Sequence, residues 1–346
     1  MARCCVRKQL HRMKIFITGV AGFLGSHLAD QMLADGHTVV GNDNMIGGYF
    51  DNVPQEVEFH QIDCCDLENL TKAMQGCDIV YHTAATAYEG LSVVSPVLVT
   101  KNIFEASVTT ITAAIRNKVK RFVYCSSMAR YGSHDKTPYH ETYECRPQDP
   151  YGIAKKAGED VLKNLCDTHG MEYVIAVPHN IVGPRQKYDD PFRNVMSIML
   201  NRMLQGKQPI IYGDGEQQRC FSYIDDCLFC LKALAFQKDV AGEVVNIGPD
   251  EEPITINSLA EMCANETGVN LDPEYHKDRP QEVKIAVCSS DKARKLLGYK
   301  TSTNIKTAVQ KTAEYIRLRG TKKFQYHLPL EIVNDKTPDT WKKKLI

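Results

Sequence analysis

Long apolar runs, internal repeats and an excess of either charge sign are all missing from this sequence of 346 residues. A membrane helix needs about 20 consecutive apolar residues, and no stretch approaches that, so no membrane partner is expected. Lysine plus arginine (42) balances aspartate plus glutamate (42). Without a global field to hold a nucleic acid or an anionic membrane, any phosphate must be bound by local groups. Cysteine is not scarce, but the 13 residues are odd in number and scattered, unlike a disulfide framework. Cys227 and Cys230 form a lone C-x-x-C with no second pair and no histidine at ligand spacing, so buried thiols are expected there and no metal. Residues 1–12 are basic and lack the apolar core of a signal peptide, and Met13 is an equally good start for the folded part. The expectation is a cytoplasmic protein, and its 43% hydrophobic and 24% charged residues suit an ordinary globular fold.

The first half alternates short β-branched runs with amphipathic stretches, the pattern of a parallel sheet flanked by helices. Strands are predicted at 14–18, 37–41, 57–61, 78–82, 121–125 and 173–177. Leu24, Leu28 and Met32 recur at helical spacing over 23–34, with Gly36 as the stop. Long helices are predicted over 97–117 and 151–168. Beyond Pro178 the pattern loosens into a mixed lobe with helices near 192–204, 225–236, 256–267 and 305–318. Residues 324–346 have few apolar anchors and read as a surface-draped tail. The fold class is α/β, a Rossmann-type doubly wound parallel sheet over 1–178 with a smaller mixed α/β lobe over 179–346. Some segments of the second part are expected to return to the sheet.

Gly19-Val-Ala-Gly22-Phe-Leu-Gly25 falls at the first strand-to-helix junction. Glycines there permit a tight turn, close backbone approach to a pyrophosphate and tight helix–strand contact, with the phosphates at the helix N-terminus. Asp43 ends the second strand, where a carboxylate accepts hydrogen bonds from an adenosine ribose and repels the extra phosphate of NADP. No arginine follows closely (Asn44 is next), so NAD is the expected cofactor. Asp63, ending the third strand, is placed to meet the adenine amino group.

Tyr151 and Lys155 are four apart at the start of a helix and share one face. A lysine ammonium near a tyrosine, beside a positively charged nicotinamide, favours the phenolate, which can take a proton from a sugar hydroxyl. Cys125-Ser126-Ser127 ends the fifth strand, and Ser127 can bridge the same hydroxyl. Two alternatives to this chemistry stand: Tyr151 and Lys155 as an ordinary amphipathic pair, and a non-catalytic NAD-binding scaffold.

With these motifs stand Asp63-Cys-Cys-Asp66, His82-Thr-Ala-Ala85, Arg130-Tyr131-Gly132, His179-Asn180-Ile-Val-Gly183-Pro184, and Tyr212-Gly-Asp-Gly215 followed by Gln218-Arg219. Together the chain resembles the extended short-chain dehydrogenase/reductase family, in its UDP-glucose 4-epimerase-like NAD-dependent epimerase/dehydratase branch, over nearly all of 14–318. The resemblance implies that Phe23 and Leu24 lie along the pyrophosphate and that Asp63 and Cys64 flank the adenine. Thr83, Ala84 and Ala85 would meet the cofactor backbone, Asn102 the active-site end, and Pro178 the nicotinamide amide. It implies a nucleotide-sugar substrate held by Asn180, Asn194 and Val195, with Tyr212 and Glu89 in the same pocket. Arg219 would bind a phosphate, and Arg279 with Glu282 the phosphate and ribose. It further implies a homodimer built on the helices of 97–117 and 151–168. The chain departs from the familiar epimerases at Thr86–Glu89, Cys220 and Arg130, departures expected to fall near the sugar pocket.

The implied reaction is transient oxidation at C4 of a UDP-sugar and reduction on the opposite face. Met128 and Ala129 occupy the places where the common 4,6-dehydratases carry an acidic pair. Dehydration, or 3/5-epimerisation through a 4-keto intermediate with Glu89 or Cys125 as an extra acid/base group, remains the alternative.

Overall fold

The computed structural model describes residues 12–346, so the expected leader, apart from Arg12, lies outside the described residues. The chain opens as β1 (Lys14–Thr18), α1 (Phe23–Ala34), β2 (Thr38–Asn42), β3 (Glu58–His60), α2 (Leu67–Ala73) and β4 (Ile79–His82). Next come α3 (Glu89–Ser92), α4 (Pro96–Thr100), α5 (Ala106–Arg116), β5 (Arg121–Cys125), α6 (Pro150–His169) and β6 (Glu172–Pro178). Six of these strands and Val244–Ile247 form one parallel sheet of seven, in the order Val244–Ile247, β6, β5, β4, β1, β2, β3.

Strand residues alternate strictly between two cores. Ile15 and Ile17 pack on one side with α1 and the helix Ile224–Phe236, while Phe16 packs on the other with α2, α5 and α6. Val39 and Val40, and Val123 and Tyr124, divide the same way. Both faces are covered, as a parallel sheet requires. From β1 the chain runs outward through β2 to β3, and from β4 it runs the other way. The carboxyl ends of β1 and β4 therefore flank the point where the winding reverses, the place where open α/β sheets leave a crevice.

The helix predicted over 97–117 is interrupted. Between α4 and α5, residues Lys101–Glu105 form a π-helical turn. Apolar periodicity survives one inserted residue, so the sequence pattern does not reveal it, yet such bulges re-aim side chains and gather at functional sites. Asn102 sits in this turn.

The tail also differs from its reading as a surface drape. Leu328, Trp341 and Ile346 are buried against Tyr88, Leu91, Phe192 and Ile210, and a short helix forms over Asp339–Lys342. Some of the tail's few apolar residues are its anchors, while Ile332, Val333 and Leu345 stay exposed. Cys227 and Cys230 are buried free thiols in the helix Ile224–Phe236. No described helix is long and apolar enough to cross a membrane.

Candidate active site

A cleft of about 450 Å³ opens at the carboxyl ends of β1 and β4 and runs into the second part of the chain. Every site residue singled out from the sequence lines it, from Gly19 to Glu282.

At one end lies the glycine turn. Gly19 has φ +70°, and a Cβ there would stand 2.8 Å from the Cα of Ala84. Gly25 faces the carbonyl of Gly19 with no room for a side chain. Phe23 and Leu24 begin α1 after the N-cap Gly22, and all three line the cleft. Asp43 takes the N–H of Ala21 at 3.1 Å and that of Met45 at 2.7 Å, and burial pushes its carboxyl above the ordinary range. Asp63 is pushed up by burial, but the Asn44 amide (2.9 Å) and the Cys65 N–H (2.8 Å) draw it below the usual value. Cys64 lies buried beneath this rim. Thr83 and Ala84 are held against β1, both backbone N–H groups donating to the Thr18 hydroxyl at 3.1 Å. The Nδ2 of Asn102 is buried with no partner in the protein. A glycine cradle that a Cβ would fill and an orphaned amide donor farther along both suit a bound dinucleotide.

The middle of the cleft carries Ser127, Tyr151 and Lys155. Asp149 caps α6, accepting the N–H of Gly152 at 2.8 Å, and Pro150 follows at the first helical position, so the helix starts where Tyr151 must point. Ser127 caps the single turn after β5 by accepting the Ala129 N–H. Burial pushes the Tyr151 phenol well above its ordinary value; the Glu89 carboxylate adds to this, and a hydrogen bond with Ser127 opposes it. Lys155, lowered to about 8 by burial, gives its ammonium to the Cys125 carbonyl at 2.7 Å. The expected favouring of the Tyr151 phenolate joins this ammonium to the positive charge of a bound nicotinamide. The Cys125 thiol is pushed up to about 12 by burial.

Glu89 behaves otherwise. Its carboxyl is pushed up to about 7 by burial and then by Asp149, with Arg219 pulling back. Its side chain still meets solvent because it faces the open cleft. Asp149, raised by burial, was not singled out in the sequence, although an aspartate before a proline at a helix start marks a cap.

At the far end Glu282 bridges two arginines, taking Arg219 at 3.0 Å and Arg279 at 2.7 Å. Arg279 also lies 5.1 Å over the Tyr212 ring. The strand Gln218–Arg219 pairs with Ile254–Thr255 and Ile285–Ala286, which fixes Arg219 in a small sheet. Asn180, at φ +44°, donates to the Cys220 carbonyl at 2.9 Å. Pro178 ends β6 just before it. Asn194 caps the helix Val195–Met203, three residues later than the start predicted at 192. The residue before it, Arg193, lines the cleft with its guanidinium 4.6 Å over the Tyr88 ring; nothing in its spacing marks it out. Two expected departures lie elsewhere. Arg130 turns away from the cleft into a buried ion pair with Glu159 at 3.1 Å, and Cys220 is buried outside the lining. Of the departures, only Thr86–Glu89 reach the pocket.

The fold and cleft define a dinucleotide-binding enzyme with a serine–tyrosine–lysine set between a phosphate-binding turn and a second, arginine-bearing subsite. Residues 15–248 match the model of the NAD dependent epimerase/dehydratase family, and the chain belongs to that family, with NAD as its cofactor. A putative UDP-glucose 4-epimerase of Methanocaldococcus jannaschii is 30% identical, over 88% of this chain and 98% of its own. The UDP-glucose 4-epimerase of Thermotoga maritima, solved with UDP-glucose, superposes with a TM-score of 0.83 at 31% identity, covering 89% of this chain and 99% of that one. The GDP-mannose 3,5-epimerase of Arabidopsis thaliana is 29% identical over 88% of this chain and 82% of its own.

Proposed function

We propose that the protein is an NAD-dependent nucleotide-sugar epimerase that inverts C4 of a UDP-linked sugar. The observation that carries this is a single cleft with Ser127, Tyr151 and Lys155 at its centre and the Arg219–Glu282–Arg279 cluster at its far end. An arginine fork suits phosphate oxygens, so the diphosphate anchors there while the sugar reaches Tyr151. Gly19, Gly22, Asp43, Asp63 and Asn102 would hold NAD, which when bound supplies reversible acceptance of hydrogen from the sugar carbon. Tyr151 takes the O4 proton and later returns it, and Ser127 holds the same oxygen. Because Tyr151 is raised in the protein alone, it needs favourable charge on substrate and cofactor binding to act as a base. Anchoring at the arginines leaves the hexose free to turn between the two half-reactions. UDP-glucose 4-epimerases among the relatives support this reading.

A second reading rests on Glu89, a carboxyl poised near neutrality in the cleft. It can move a proton at a carbon beside a 4-keto group, which gives epimerisation at C3 or C5. Turnover in heavy water with UDP-glucose, UDP-N-acetylglucosamine and UDP-glucuronate separates the two. The proposal expects a C4 epimer with no deuterium on carbon. Deuterium at C3 or C5 would favour the Glu89 route, and a product lighter by one water would mean dehydration. A chain that binds no nucleotide sugar at all would be a scaffold.

A further inference from the structure

Glu89 and Gly90 open α3, and their place in the cleft is fixed from two sides. On one side the Ser92 hydroxyl lies 2.6 Å from the Glu89 carbonyl and 3.4 Å from the carboxylate of Asp149, the N-cap of α6 that precedes Pro150 and Tyr151. On the other, a Cβ built on Gly90 would lie 3.5 Å from an Arg279 nitrogen. The two residues therefore stand between the reacting centre and the arginines, along the stretch a sugar spans with its diphosphate at Arg279 and its O4 at Tyr151. Glu89 is exposed to the cleft, and among the described residues no hydrogen bond or ion pair holds its carboxyl. Asp149 is engaged, accepting the Gly152 N–H at 2.8 Å. The cations of the lining are engaged as well. Lys155 donates to the Cys125 carbonyl, Arg193 pairs with Asp190 at 3.4 Å, and Arg219 and Arg279 share Glu282. With a diphosphate on those two arginines, none of the described lining residues offers a spare cation to a second anionic group on the substrate.

We infer that Glu89 is a specificity-determining residue, whose carboxylate turns away sugars bearing a carboxylate of their own and confines the substrate to nucleotide sugars whose hexose carries no negative charge. This rests on the nucleotide-sugar reading above. Two carboxylates brought together disfavour each other's charge, and built-in repulsion is one way a site rejects a close analogue. The hydroxyl of a neutral hexose instead donates to Glu89. The penalty has a ceiling, because Glu89 can escape it by taking up a proton. Burial and then Asp149 push its carboxyl up to about 7, with Arg219, Glu282 and Arg279 also acting on it. At pH 8 the ceiling is therefore about tenfold.

Calorimetry at pH 8 on the NAD-loaded Tyr151→Phe protein, in which turnover is suppressed, compares UDP-glucose and UDP-glucuronate, each relative to UDP. UDP-glucuronate should bind about tenfold more weakly than UDP-glucose. Adding Glu89→Gln, neutral and of the same shape, should close that gap, whereas Glu89→Asp, which keeps the charge, should retain most of it. Equal affinities for the two sugars, or a gap that Glu89→Gln leaves intact, would overturn the inference and leave the nucleotide-sugar reading standing. No binding of UDP or of either sugar to the NAD-loaded protein, wild-type included, would overturn both.

Discussion

Tyr151 keeps its proton in the protein alone, and the charge that acts on it most is of the wrong sign for losing it. Burial is the larger cause and the Glu89 carboxylate the next. Replacing Tyr151 by Phe removes the hydroxyl and almost no volume, so NAD should stay bound while turnover falls by about 10²–10⁴, the usual share of a positioned acid–base group. Turnover near the wild-type value would remove Tyr151 from the chemistry. Burial, and then the neighbouring Asp149, push the Glu89 carboxyl up to about 7. As pH rises through that value the carboxyl becomes an anion, and a nearby anion disfavours the phenolate. The kcat/KM profile should therefore show an inflection near 7, and Glu89→Gln, neutral at every pH, should abolish it. A profile identical in the two proteins would show that Glu89 does not act on the site.

Among the elements, the turn after β5 and the helix α6 carry Ser127 and Tyr151, and a buried ion pair joins them. Arg130 lies in that turn and Glu159 two turns into α6, both nearly inaccessible. Ser126 donates to the same carboxylate, and Arg130 donates to the Cys145 sulfur at 3.2 Å. Breaking such a pair leaves one charge buried alone, which costs about 3–5 kcal/mol. Urea unfolding of Glu159→Ala should register a loss of that size. A loss under about 1 kcal/mol, the ordinary worth of an exposed pair, would mean that water reaches Arg130 and the pair does not brace the site.

At the scale of the whole molecule, two adjoining helices are among those that leave apolar side chains in solvent. Val97 on α4 is 71% exposed and Ile153 on α6 is 53% exposed, and these helices pack against each other. Exposed apolar side chains on adjoining helices fit association with a second copy better than a free surface. We expect a homodimer through this face. Light scattering at micromolar concentration should give twice the chain mass, and Ile153→Asp should shift it towards one chain with NAD binding unchanged. A wild-type monomer would count against the pairing.

What the sequence by itself determined is what depends on neighbours in the chain. The strands β1 to β6 follow from short apolar runs, and the glycine turn from three residues at one junction. Tyr151 and Lys155 share a helix face by spacing alone, and the family resemblance followed from the order of such motifs. What only the tertiary structure decided depends on contacts between distant residues. The π turn that aims Asn102 is invisible to apolar periodicity. Asp149 raises Glu89 across 60 residues of chain, and Arg130, expected in the pocket, finds Glu159 instead. The tail looked like surface because its apolar residues are sparse. Trp341 nevertheless meets Phe192 and Gly90, since burial depends on what a side chain packs against in space, and no local pattern encodes that partner.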